Sequence, residues 1–204
     1  TKILTYHVVS GKVMSTDLTN NMRAKTVQGK YITIEIENQK VYVDNAMVTT
    51  ADIECSNGVI HVINAVIVPK NNIVETAIAN PDFETLVTAV VAADLAGTLS
   101  KEDAQFTVFA PTDAAFAALD PVFLANLVNN DTANLTKILT YHVVSGKVMS
   151  TDLSNNMTVA TVEGTNITIT IDAGKVYVND AMVTLADIQC SNGVIHVINK
   201  VIVP

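Results

Sequence analysis

Histidine is the side chain in this sequence best suited to acid–base or metal chemistry, and the chain has four: His7, His61, His142 and His196. Histidine titrates near neutral pH and is a common metal ligand. Each of the four lies among apolar residues, and none has a second His or Cys at a spacing typical of a metal site. We therefore interpret them as core residues that bond to the backbone or to a buried amide such as Asn199. The sequence predicts no metal and no cofactor.

Nucleophilic chemistry is equally poorly supported. The sequence has no Gly-x-Ser-x-Gly elbow, phosphate-binding loop or His-Glu-x-x-His motif, so it predicts no enzyme. The two cysteines, Cys55 and Cys190, occur in the same local sequence, Ile-x-Cys-Ser-Asn-Gly. Equivalent positions in two domains are expected to lie too far apart for a disulfide bond. A buried free thiol is the favoured interpretation, and an intermolecular disulfide in an oxidising compartment stays open.

Four asparagines begin the Asn-x-Thr pattern of an N-glycosylation site: Asn130, Asn134, Asn156 and Asn166. Use of these sites requires passage through a secretory pathway. Asn156 and Asn166 are the favoured candidates because they are expected in a loop or at the edge of a strand. Asn134 is expected within a helix.

The charge balance argues against two classes of partner. The formal net charge is −8 and the isoelectric point is about 4.8, so the surface repels phosphate backbones and anionic lipid. Nucleic acid is therefore not an expected partner. No apolar run approaches the roughly 18 residues of a membrane span, so this segment is not expected to insert directly into a membrane.

An internal repeat determines the expected organisation. Residues 1–69 align without a gap with residues 136–204, and 53 of the 69 positions are identical. We predict the C-terminal half of one domain at 1–69, a short linker at 70–72 and a complete domain at 73–204. Thr1 corresponds to a position inside a predicted helix, so we expect it to be a processing edge. The alternative is a genuine half-domain that another chain completes.

The complete unit reads as helices followed by strands, which is the α+β class. Helical spacing follows Asn80-Pro81, with Gly97 as the expected end, and it recurs at residues 133–142. A short strand is predicted at 106–110 between these helices. Alternating residues then predict a hairpin around 167–178, and 194–203 reads as a buried closing strand. The predicted core comprises Phe83, Leu86, Val90, Phe109, Phe116, Leu139, Ile169, Val197, Ile202 and the histidines at 142 and 196.

Three segments of the complete unit, in order, resemble the fasciclin (FAS1) family. They are Thr107–Phe116 (TVFAPTDAAF), the pair Tyr141-His142, and Asn192–Ile202 (NGVIHVINKVI). The resemblance implies a β-sandwich or wedge with helices packed alongside, here as one complete domain plus a C-terminal half-domain. It also implies a secreted or surface-anchored protein, often with tandem domains, that acts in adhesion, matrix assembly or cell-wall attachment.

The resemblance also supplies candidate adhesion residues. The Asp-Ile pairs Asp52-Ile53 and Asp187-Ile188 match part of an integrin-binding segment, although the acidic residue and proline before it are missing. Tyr141 and His142 match the central motif. The favoured hypothesis is an adhesion or filament module of a tandem array, with other copies, surface or matrix proteins and glycans as partners. The alternative is a carrier of a small apolar ligand such as a carotenoid, which some algal relatives bind.

One structural expectation follows from the repeat. Residues 1–69 lack a counterpart of residues 73–135, which supply most of the helices. Their strands are therefore expected to expose an apolar face, which is uncommon on a stable monomer. Either upstream sequence or a neighbouring copy must cover this face, and in the assembled state we expect a neighbouring copy to do so in a filament of head-to-tail contacts.

Overall fold

The computed structural model describes all 204 residues, which form two compact units, Thr1–Lys70 and Asn71–Pro204. Each unit has its own core. None of the helices is both long and apolar enough to cross a bilayer.

The first unit is a short helix followed by a five-stranded antiparallel sheet in the order β1-β2-β3-β4-β5. Its elements are α1 (Lys2–Tyr6), β1 (Met22–Lys25), β2 (Tyr31–Glu37), β3 (Lys40–Val43), β4 (Ala46–Cys55) and β5 (Gly58–Ile63). The core is small and is formed by Tyr6, Ile32, Ile34, Ala46 and Ile67.

The second unit begins with the helices that the first unit lacks. They are α2 (Ile73–Ile78), α3 (Glu84–Ala92), α4 (Ala96–Leu99), α5 (Asp113–Ala117), α6 (Pro121–Asn129) and α7 (Thr132–Tyr141). Side chains of Asn72, Asp120 and Asp131 accept hydrogen bonds from free backbone N–H groups in the first turns of α2, α6 and α7. Such caps satisfy donors that a helix cannot pair internally.

Seven strands form the sheet of the second unit, in the order β7-β6-β12-β11-β10-β9-β8. They are β6 (Phe106–Pro111), β7 (Val143–Ser145), β8 (Met157–Ala160), β9 (Asn166–Asp172), β10 (Lys175–Val178), β11 (Ala181–Cys190) and β12 (Gly193–Ile198). All neighbours are antiparallel except β6 and β12, which are parallel. A bridge between Val144 and Thr161 joins the two ends of the sheet, which makes a nearly closed wedge.

Strand β12 separates two cores. Its side chains alternate, so that Ile195 and Val197 face the cluster formed with the helices, whereas Ile198 faces the inside of the wedge with Phe109 and Ile169. Every residue of β12 is buried. The residues of the predicted core are buried, except that Val90 is only partly buried. The interpretation of all four histidines as core residues is wrong for the first unit, where His7 is exposed and His61 is half-buried because the counterparts of α2 and α3 are missing there.

Two sequence-based boundaries are wrong for identifiable reasons. The helix after Asn80 ends at Ala92, because Asp94 takes the left-handed conformation with φ of 55°, and Gly97 lies inside α4. The apolar run 194–203 is not one closing strand. Strand β12 ends at Ile198 and lies in the middle of the sheet, because β6 pairs with its second edge.

Candidate functional site

The motif residues Tyr141 and His142 lie in the core, where helix α7 ends. The hydroxyl oxygen of Tyr141 accepts a hydrogen bond from Asn179 Nδ2 at 2.9 Å and contacts the Asn166 carbonyl oxygen at 3.1 Å. The hydroxyl therefore ties the helix to β9 and to the turn before β11. Both motif side chains are buried, so neither is available on the surface of the folded unit for contact with a partner.

His142 is bonded through both ring nitrogens. Nδ1 lies 2.7 Å from the Ile138 carbonyl oxygen, and Nε2 accepts a hydrogen bond from the Ile202 N–H at 3.1 Å. A second ring proton on Nε2 would point at that N–H donor, so the arrangement requires the neutral ring. Burial lowers the pKa of His142 to about 4, although the hydrogen bond to Ile138 opposes this effect. Asn199 is not the partner that the sequence suggested, since its Oδ1 accepts a hydrogen bond from Met182 N–H.

His196 is also a structural residue of β12. Its Nε2 lies 2.9 Å from the Val148 carbonyl oxygen, and its Nδ1 accepts a hydrogen bond from Asp187 N–H at 3.2 Å. The ring stacks on Phe109, with ring centroids 5.6 Å apart. Both ring nitrogens and one ring face are thus engaged inside the unit. Nowhere in the chain are three His, Cys, Asp or Glu residues gathered closely enough to hold a metal ion.

The two Asp-Ile pairs lie where β4 and β11 change register against their neighbours. Asp187 has φ of 61°, and its carboxylate accepts hydrogen bonds from the N–H and hydroxyl of Ser150. Burial raises the pKa of this carboxyl, but the hydrogen bonds from Ser150 and the nearby His196 and Lys147 together outweigh burial and lower the pKa. Ile188 is partly buried against the helical core. In this copy the pair thus serves the fold.

The same pair in the first unit is more accessible. Asp52 accepts hydrogen bonds from the N–H and hydroxyl of Ser15, and these bonds lower the pKa of the Asp52 carboxyl. Ile53 is exposed. Of the four residues in the two pairs, Ile53 offers the largest exposed apolar side chain.

All four sequon asparagines are exposed. Asn156 precedes β8 with φ of 61°, and Asn166 begins β9. Asn134 lies in α7, and its side-chain nitrogen donates to the carboxylate of Asp131 at 2.6 Å. Glycosylation at Asn156 or Asn166 therefore stays a prediction, with Asn134 less accessible to modification because of this bond.

The cysteines differ in environment despite their equivalent sequences. Cys190 is buried and lies 3.3 Å from the hydroxyl oxygen of Thr76 on α2. Cys55 is exposed, so the expectation of a buried thiol is wrong for this copy. The reason is that the first unit has no helix equivalent to α2.

The sheet of the first unit exposes an apolar face, as predicted from the repeat. Ile60 is 53% exposed and Val62 is 41% exposed, whereas the equivalent Ile195 and Val197 of the second unit are 1% and 7% exposed. We call this the β5 face, defined by Ile53, Ile60 and Val62. Helices cover the corresponding residues of the second unit.

A cavity of about 410 Å³ opens beside the β5 face. It is lined by residues of β2, β3 and β5, including Ile32, Val43, His61 and Ile63. Their equivalents in the second unit surround Phe109 inside the wedge. The cavity thus marks the place that an aromatic ring fills in the complete unit.

The second unit has a smaller apolar cavity of about 120 Å³ between α2, α3 and the sheet. Ile73, Val90, Leu139 and Ile195 are among the residues that line it. His142 also borders the cavity, with both of its ring nitrogens already bonded. The space therefore offers almost no polar partner and suits only a hydrocarbon group.

Sequence reasoning missed the role of Gly193. A Cβ atom at this position would lie 1.9 Å from the backbone oxygen of Phe106, so only glycine allows β6 to approach β12. At the equivalent Gly58, an added Cβ atom would meet no other atom within 4 Å. The duplicated Asn-Gly pair was visible in the sequence, but only as part of the repeat and of the segment that resembles the family.

Comparison with known proteins agrees with this architecture. The family model of the Fasciclin domain matches residues 1–69 and 81–204. The chain therefore belongs to the fasciclin domain family. The FAS1 domain pair of the insect cell adhesion molecule fasciclin I has the same fold, with a TM-score of 0.61 at 21% identity, and the match covers 100% of this chain and 79% of that one.

Relatives of similar sequence include bacterial and animal proteins. Protein sll1483 of Synechocystis sp. is 50% identical over 135 residues, which cover 65% of this chain and 73% of that protein. Transforming growth factor-beta-induced protein ig-h3 of Oryctolagus cuniculus is 30% identical over 205 residues, or 98% of this chain. The match covers only 30% of ig-h3.

Proposed function

We propose that this chain is an extracellular or cell-surface module of a tandem FAS1 array, and that it acts in adhesion or in matrix or filament assembly through protein–protein contacts. The β5 face carries the proposal. Contiguous exposed apolar residues on a soluble protein commonly mark an interaction site. The likeness of the fold to a domain pair from a cell adhesion molecule supports the same class of function.

The charge distribution agrees with a protein partner. A net charge of −8 disfavours polyanions, whereas an apolar face of β-branched residues is suited to packing against another polypeptide. The partners that we propose are other copies of the repeat or other surface and matrix proteins. Glycans on Asn156 or Asn166 would lie on the second unit, whereas the β5 face belongs to the first unit.

Bead aggregation tests this proposal. Beads coated with the chain should aggregate with one another or bind extracellular matrix, and the double variant Ile60→Asp, Val62→Asp should lose this binding. The matched control is Val122→Asp, which places the same charge at an exposed apolar position of α6. Wild-type beads that bind no better than albumin-coated beads would disprove the adhesion function.

The apolar cavity of the second unit favours a second candidate, a carrier of a small apolar ligand. Ile78 and Val91 line the cavity and are exposed, so a hydrocarbon group could enter between α2 and α3. A space of 120 Å³ holds the end group of a carotenoid and not the whole molecule. The absorption spectrum of the native protein tests this candidate. A visible band that co-purifies with the protein supports it, and a colourless protein argues against carotenoid carriage.

A further inference from the structure

The hairpin formed by β1 and β2 carries a cluster of cations around one tyrosine. Lys25 pairs with Tyr31 across the two strands, and Arg23 lies two residues earlier on the same side of β1. The guanidinium carbon of Arg23 lies 4.5 Å from the centre of the Tyr31 ring, and Lys25 Nζ lies 5.6 Å from it. Lys30 directly precedes Tyr31 in the turn between the strands. We call residues 22–31 the basic hairpin.

The two copies of the repeat differ most at this hairpin. Six of the nine positions in 23–31 differ from their equivalents in 158–166, whereas only ten of the other sixty aligned positions differ. The first segment contains one arginine, two lysines and no acidic residue, a formal charge of +3, and the second contains one glutamate, a charge of −1. The buried Ile32 and Ile34 next to the hairpin have identical counterparts. The change therefore affects the surface and leaves the buried residues of β2 as they are.

The helices of a complete domain do not cover this surface. In the second unit, the equivalents of Arg23, Lys25 and Tyr31 are all exposed. In the first unit Lys25 is exposed, and Arg23 and Tyr31 are half-buried. Contact with an aromatic ring limits the motion of the two cationic side chains, so their positive charge is held in one place. Since Tyr and Arg are enriched in protein interfaces, the hairpin suits an acidic protein surface as partner.

The helical part of the second unit carries the opposite charge. Residues 71–135 include nine acidic residues and one lysine. Three of the carboxylates gather where α3 begins. Asp82 and Glu84 are exposed there, and the Asp113 carboxylate accepts hydrogen bonds from the backbone N–H groups of Glu84 and Thr85 at 3.3 and 2.8 Å. We call Asp82, Glu84 and Asp113 the acidic corner.

We propose that the basic hairpin of one copy docks on the acidic corner of a second copy, with Arg23 and Lys25 facing Asp82 and Glu84. This inference rests on the proposed function and deepens it, because it names a surface for assembly between copies. The surface is separate from the β5 face, since β1 and β5 form opposite edges of their sheet. Hairpin and corner are different surfaces, so the contact is heterologous and can continue from one copy to the next.

Paired charge reversals in the full chain test the contact by sedimentation velocity. The hairpin variant is Arg23→Glu, Lys25→Glu, and the corner variant is Asp82→Lys, Glu84→Lys. Either variant alone places like charges against each other, so its self-association should be at least tenfold weaker than that of the wild type.

A mixture of the two variants should associate again. The acidic hairpin of one variant then meets the basic corner of the other, and the unchanged surfaces are complementary too. Each double reversal shifts the formal net charge of −8 by four, to −12 or −4. Because both variants remain acidic, attraction between their net charges cannot produce this rescue.

The matched control is Lys137→Glu, Lys175→Glu, which makes the same change in net charge at two exposed lysines of the second unit. This control should self-associate like the wild type. None of the substituted side chains is buried, so circular dichroism should show every variant folded. An increase in NaCl from about 50 to about 500 mM should weaken the wild-type association, because salt screens charge pairs near the surface.

The inference is refuted if the wild type stays monomeric, if either variant associates like the wild type, or if the mixture does not associate. Binding of polygalacturonate by the wild type and not by the hairpin variant, without self-association, would also refute it. That result would assign the basic hairpin to an acidic polysaccharide.

Bead assays on the same preparations separate this inference from the proposed function. Beads coated with the hairpin variant that aggregate or bind matrix as well as wild-type beads would remove this contact and keep the adhesion function. Rescue by the mixture in solution, with wild-type beads that bind no better than albumin-coated beads, would keep the contact and remove the adhesion function.

Discussion

The buried ring of His142 makes the stability of the second unit depend on pH. Its pKa is lowered from 6.5 to about 4, chiefly because burial disfavours the charged ring. Each pKa unit corresponds to about 1.4 kcal/mol, so the shift is equivalent to about 3 kcal/mol. Between pH 6.5 and 4 the unfolded chain binds a proton that the folded unit does not. The contribution of the neutral His142 ring to the free energy of unfolding is therefore fully present above pH 6.5 and is lost as the pH falls towards 4.

The measurement is urea unfolding at a series of pH values from 7.5 to 4. Unfolding is monitored through the intensities of native amide NMR signals from α7. These signals report on the second unit alone. His142→Gln removes the titrating group, so the stability difference between wild type and variant should decrease by about 3 kcal/mol across this pH range. Taking the difference cancels the titration of the carboxylates that both proteins share.

His7→Gln is the matched control because His7 is the equivalent residue of the first unit and is exposed. This variant should follow the wild-type pH profile of the second unit. If the difference between wild type and His142→Gln stays constant from pH 6.5 to 4, the assignment of a neutral buried ring to His142 is refuted.

Three further predictions concern single side chains. Phe109→Ala should destabilise the second unit by about 3–5 kcal/mol, because it empties the inside of the wedge; a loss under 1 kcal/mol in denaturant unfolding would contradict this. Asp187→Ala should cost about 1–3 kcal/mol through the lost hydrogen bonds from Ser150, and Asp187→Asn, which keeps one acceptor oxygen, should lose less in the same assay. A maleimide should modify Cys55 in the native chain within minutes and Cys190 only in denaturant, as read from intact mass; rapid native labelling of both thiols would contradict the burial of Cys190.

The sequence predicted the α+β class and most of the core because its signals there are local. Each of these signals depends on residues that are close in the chain. They are the helix caps at Asp120 and before α3, the alternation of side chains in β9, and the turn at Ala173-Gly174. These signals predicted where α3 and α6 begin and the β9–β10 hairpin, but not where α3 ends. The repeat added the long-range expectation of an uncovered face in the first unit.

Features that depend on distant residues could not be read from the sequence. The parallel pairing of β6 with β12 makes β12 a central strand, and no local pattern encodes which strand lies beside it. Cys55 and Cys190 have nearly the same neighbours in sequence, and only α2 makes one of them buried. The partners of His142 could not be predicted because Ile202 N–H reaches the ring from the far end of the chain.

The parallel pairing of β6 with β12 also affects the order in which the second unit folds during its synthesis. Phe106 and its partner Gly193 are more than eighty residues apart, and chains are synthesised at about 5–20 residues per second. Strand β6 and the helices around it therefore emerge at least several seconds before the strand that they pack against. The hairpins from β8 to β12 are local and can close as they appear. Until then the apolar sides of α2 and α3 remain uncovered and available to chaperones.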